Sequence, residues 1–188
     1  MLGRYAPGTR RASGPVPVIA DVGQNNMNRT DLQETFAKRF SSQSMKSSAR
    51  VAQPDLRVVE VALRTTFPCS YLSFSTAHGP LFTPDILIQL VDAREAGLPA
   101  PEGFAVQEFF SPTEILDTHR MYVSGGMDDS VIPFAMDGGG NVFGFRREER
   151  ADRPDDVPVL LFDHDFCKVR AAADSFDTWL QGFLLLNP

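Results

Sequence analysis

The chain has 188 residues, 43% of them hydrophobic and 22% charged, which fits one soluble globular domain with a real core plus a tail. Two cysteines, Cys69 and Cys167, are too few for a disulfide framework or for four zinc ligands, and no apolar run approaches the length of a membrane span. The net charge of -6 is uneven: residues 1–50 carry eight basic and three acidic side chains (+5), the remainder ten basic and 21 acidic (-11), and so acidic a body repels nucleic acid and attracts basic surfaces.

Residues 1–27 are rich in Gly, Pro, Arg and Asn and lack periodicity, so the chain is expected to begin with a disordered leader. That leader has no apolar core of the secretory kind, and the expected location is the cytoplasm. Met27 offers an alternative translation start. Residues 28–50 read as a helix, with Leu32, Phe36 and Phe40 four apart, followed by a Ser-rich linker from Ser41. The main domain is expected over residues 51–188.

Pro54 opens a second helix carrying Leu56, Val59 and Leu63. A third runs from Pro68, which fits a first helical turn, to Gly79, which fits a C-terminal cap. Thr83-Pro84 starts a fourth, with Ile86, Leu87, Leu90 and Val91, stopped by Gly97. Ala105 to Phe110 alternates weakly and reads as a strand. Ser111-Pro112-Thr113-Glu114 is a capping-box signature leading a short helix through Ile115 and Leu116.

Val131–Phe134 and Val142–Phe145 are β-branched and aromatic. Between them lies Asp137-Gly138-Gly139-Gly140-Asn141, the composition of a tight reversal, so the stretch predicts a hairpin. The glycines are not read as a phosphate cradle, because a strand and not a helix follows them and no lysine stands behind. Val157–Phe162 is a continuous apolar run, which predicts a strand buried on both faces. Phe176, Trp179, Leu180, Phe183 and Leu184 make one helical stripe, with Asp174 or Ser175 as cap and Trp179 in the core. Helices, then strands, then a helix predict the α+β class: a mainly antiparallel sheet with N-terminal helices and a C-terminal amphipathic helix packed on it.

This order resembles the SUKH superfamily, which takes in fungal cell-wall-assembly regulators and bacterial immunity proteins of polymorphic toxin systems. The residues that carry the resemblance lie between about 55 and 184. They are Phe67-Pro68, Tyr71, Phe74 and His78-Gly79; Phe109 to Leu116; Ile132-Pro133-Phe134-Ala135 with Asp137-Gly138-Gly139-Gly140-Asn141; Val159 to Asp165, including Asp163; and Ala173 to Leu180, including Ser175, Phe176 and Trp179. His78 departs from the asparagine usual in the family. The resemblance implies a non-enzymatic immunity protein that neutralises a cognate toxin, with a nuclease as the candidate class, by stoichiometric occlusion. The alternative it leaves is a regulatory or scaffold module of the same fold.

Asp163-His164-Asp165, with Asp137 and His119 elsewhere, lacks the spacing of metal ligands, and a solvated or turn-capping role is expected. Cys69, His78, His119 and His164 match no nucleophile-and-base pattern, and Cys167 is expected to be a small buried hydrophobe. No catalytic residue, metal, cofactor, nucleic acid, membrane or small-molecule substrate is therefore expected. The candidate partner-binding residues are the acids of the loops: Asp128 and Asp129 before the hairpin, and Glu148, Glu149, Asp152, Asp155 and Asp156 after it, interleaved with arginines. The partner expected for them is a protein toxin with a basic surface.

Overall fold

A computed structural model describes residues 27–41, 52–97, 105–147 and 157–186 of the chain. The leader, the Ser-rich linker and the loop acids Glu148, Glu149, Asp152, Asp155 and Asp156 lie outside those residues.

Four helices come first: α1 (Arg29–Phe40), α2 (Gln53–Leu63), α3 (Cys69–His78) and α4 (Asp85–Glu95). Asn28 caps α1, its side chain accepting from the Asp31 N–H at 3.0 Å. Pro68 stands one place earlier than expected, at the N-cap of α3. Gly79 closes that helix at φ 68°, its N–H donating to the Ser75 carbonyl at 2.8 Å. Strand β1 (Val106–Phe109) then leads into α5 (Pro112–Ser124). The capping box is formed: the Glu114 N–H donates to the Ser111 hydroxyl, and the Glu114 carboxylate accepts from the Ser111 N–H at 2.7 Å.

The hairpin β2 (Val131–Asp137) and β3 (Val142–Arg146) stands where the sequence places it, and β4 (Val159–Asp163) follows. Strand β5 (Lys168–Ala173) was not read from the sequence, because Lys-Val-Arg-Ala alternates over only four residues and the alanines that end it are weak strand formers. It is the sheet's edge, half of its residues are exposed, and Val169, Ala172 and Ala173 pack partly against the cores of the two faces. Helix α6 (Phe176–Leu184) ends the described fold. Ser175 is its cap, its hydroxyl accepting from the Thr178 N–H at 3.1 Å.

The sheet has the order β1-β2-β3-β4-β5, every neighbouring pair antiparallel, so the class is α+β as predicted. The weak alternation in β1 has a physical cause in a register shift between Val106 and Glu108. The outer side of β1 is met by the segment before α4, where the Thr83 N–H donates to the Gln107 carbonyl at 2.7 Å.

Successive strand residues face opposite ways, and the two faces hold different cores. On one, Ile132, Phe134, Phe143, Phe145, Val159 and Leu161 meet Phe176, Trp179, Leu180 and Phe183 of α6 and Tyr71 and Phe74 of α3. Phe134 and Phe145 stack at 4.6 Å between ring centroids, and Trp179 meets Phe134 edge-on at 5.4 Å. On the other face, Val131, Val142, Leu160 and Phe162 meet Met127, with Tyr122 and Val123 of α5 against them. Burial of β4 on both faces explains its unbroken apolar sequence.

Helix α1 shares the first core. Phe36 and Phe40 are buried, and Phe36 makes ring contacts with Phe74, Phe109 and Phe183. Its polar residues hold it there. Arg29 pairs with Asp177 at 2.7 Å, and Arg39 donates to the carbonyls of Leu184 and Leu186 at the end of α6. Burial lowers the pKa of the Arg39 guanidinium.

Candidate functional site

The tip of the β2–β3 hairpin is a closed polar network. Asp137 is buried, and its Oδ1 accepts from the N–H groups of Gly139 and Asn141, each at 2.8 Å. Its Oδ2 accepts from the Asn141 amide at 2.8 Å. The Asn141 amide oxygen in turn accepts from the His164 N–H at 3.1 Å, and the His164 ring Nδ1 lies 3.2 Å from it. Gly140, at φ 93°, lies under that ring: a Cβ there would be 3.4 Å from His164 Cε1. Its carbonyl accepts from the Tyr122 hydroxyl at 2.6 Å. Burial, and then the neighbouring Asp137 carboxylate, raise the pKa of that hydroxyl.

The Asp163-His164-Asp165 tip of the β4–β5 turn is thus locked to the glycine turn. Asp163 accepts from the Phe166 N–H at 3.2 Å, and His164 Nε2 lies 3.2 Å from Asp165. Asn141 and Tyr122 complete this network. Asn141 belongs to the turn sequence and Tyr122 lies in α5, and the fold shows what their polar atoms hold. Asp137→Ala is expected to lower stability by about 1–3 kcal/mol, because it strips a buried acceptor from three donors. A urea titration that changed by less than half of this range would contradict it.

Of the candidate partner residues, Asp128 and Asp129 are described. Both are exposed, in the loop between α5 and β2, and both have an arginine beside them. Asp128 accepts from the Ser130 N–H at 2.8 Å, which is the main cause holding its carboxyl below the ordinary range, and it lies 3.8 Å from Arg146. Asp129 pairs with Arg147 at 3.0 Å, while its carbonyl accepts from Arg147 Nη2 at 2.8 Å and lies 3.1 Å from His119 Nε2. Arg146 and Arg147 run on from the end of β3, so the two acids form a mixed-charge surface with them rather than an acidic patch.

Among the motif residues, Tyr71 is buried among Phe67, Phe134, Phe145 and Phe176, and burial raises its hydroxyl pKa well above the usual range. Pro133 is buried in β2, beside a register shift against β3. Trp179 and Phe176 lie in the core.

The cysteines form no thiol–base pair with the histidines. Cys69 and His78 sit at opposite ends of α3, roughly 13 Å apart along its axis. Cys167 is exposed, which corrects the buried role expected for it. It occupies a left-handed position, φ 50°, in the β4–β5 turn, where its Sγ reaches the His164 carbonyl at 3.7 Å while the ring faces Asn141 and Asp165. Among the described residues no three or more His, Cys, Asp or Glu side chains converge as metal ligands. No helix there is long and apolar enough to cross a membrane.

Residues 51–182 match the model of the SMI1 / KNR4 family (SUKH-1). No curated protein matches the chain.

Proposed function

The chain belongs to the SMI1 / KNR4 family (SUKH-1), and from that premise we propose that it is a bacterial immunity protein, a non-enzymatic cytoplasmic domain that occludes a cognate toxin one-to-one. Membership is consistent with a protein-interaction or immunity-type role, and it is the observation that carries the reading. The -11 balance of residues 51–188 supports a basic partner. A field of that sign raises the encounter rate with a basic surface, such as the substrate cleft of a nuclease, and disfavours acidic competitors. Asp128 and Asp129 stand on a turn fixed to the end of β3, so a lysine or arginine of the toxin would meet them in a set geometry by exchanging with Arg146 and Arg147. Such rim exchange gives orientation more than affinity, since exposed ion pairs contribute about 0–1 kcal/mol each.

The test is co-expression with the C-terminal domain of the protein that the adjacent gene encodes. Rescued growth and a stable one-to-one complex are expected. If the toxin kills equally with the chain present and no complex is recovered, the immunity reading is lost, and the regulatory or scaffold role takes its place.

A further inference from the structure

A groove between α2 and α5 has the form of an anchor site. It is lined by Asp55, Val58, Val59, Pro112, Thr113 and Leu116 and holds about 250 Å³. That is below the roughly 300–1,000 Å³ of pockets that enclose a drug-sized ligand, and it suits one bulky side chain. Val59 is fully buried. Val58 is 62% exposed, and Val61, one turn along the same face of α2, is 78% exposed. Helix α2 is therefore apolar inward, through Leu56 and Val59, and outward as well, whereas a surface helix is normally polar on its outer face.

Among the described residues that line the groove, Asp55 is the only ionisable one. Arg57, two positions on, points away around the helix. At the start of α5 the capping box already uses the N–H groups of Ser111 and Glu114, and Pro112 has none.

We propose that this groove is where the protein partner docks. It receives one large apolar side chain from a partner segment that carries a lysine or arginine beside it to meet Asp55. The proposal rests on the immunity reading for the partner's identity and adds to it the place where affinity is held. Buried anchors in pockets dominate binding energy, and a charged rim around them sets orientation.

The probe is the C-terminal domain of the protein that the adjacent gene encodes, titrated against wild type, Val58→Glu, Val61→Glu and Asp55→Lys. Each valine variant is expected to weaken the complex at least about tenfold. Asp55→Lys is expected to slow association most at low salt. Phe166→Ser, at a 70% exposed position in the β4–β5 turn, is expected to leave affinity unchanged. Thermal unfolding of each variant separates lost binding from lost fold. If a variant unfolds, hydrogen exchange on the wild-type complex decides, with protection of residues 53–63 and 112–117 expected. A bound wild type whose valine variants bind equally well, or whose protection lies elsewhere, overturns the groove and leaves immunity standing. A wild type that does not bind the domain overturns both.

Discussion

Phe36→Ala is expected to lower the unfolding free energy by about 3–5 kcal/mol, the cost of deleting a buried phenylalanine and leaving its cavity. For a chain of this size that corresponds to a fall of roughly 6–20 °C in melting temperature. The ring is fully buried, with centroids 5.1 Å from Phe40, 5.9 Å from Phe74, 5.8 Å from Phe109 and 6.1 Å from Phe183. Those partners come from α1, α3, β1 and α6, so no single element can shift to fill the space. The residue lies 15 positions before the family match begins at residue 51, which makes the result informative. Removing residues 1–41 would uncover the sides of Phe74, Phe109 and Phe183 that α1 covers, and the truncated protein is expected to bind ANS. A loss under about 1 kcal/mol for Phe36→Ala would mean that α1 contributes little to the core.

Where burial is one-sided or complete, the pattern of residues announces the element. The stripe of α6, the apolar run of β4 and the glycine turn between β2 and β3 are legible because each has a local cause: helical period, burial on both faces, and positive φ at Gly140. Strand β5 is not legible, because an edge strand is held by backbone bonds to β4, which any side chain permits. The candidate site divides in the same way. Asp137 could be singled out because a carboxylate beside three glycines caps a turn. That Asp128 and Asp129 carry arginine counter-ions depends on β3 bringing Arg146 and Arg147 back beside them, 18 residues away in each case. The α2–α5 groove is likewise a product of packing: Val58 and Val61 read as ordinary helix residues until the opposite face of α2 is seen to be the buried one.

Gly144→Ala is expected to cost about 3 kcal/mol or more, at or above the upper end of ordinary overpacking. Gly144 lies in β3, the middle strand, opposite Pro133 and beside the register shift of β2. A Cβ there would stand 2.6 Å from the Ile132 carbonyl oxygen and 3.0 Å from its carbon. The obstacle is the backbone of β2, so relief requires parting the two central strands and breaking their ladder. Gly138 has the same nominal clash, 2.6 Å, but against Gln107 Oε1, the far end of a flexible side chain. That neighbour can rotate away, so Gly138→Ala is expected to cost much less, although Gly138 belongs to the turn motif and Gly144 to none. The comparison is made by denaturant titration of both variants, with Gly125→Ala, which meets nothing closer than 3.4 Å, as the control. Equal losses at Gly138 and Gly144 would mean that the turn's own conformation dominates. A larger loss at Gly144 would show that the close approach of β2 and β3, rather than the glycine-rich sequence between them, is what this hairpin most strictly requires.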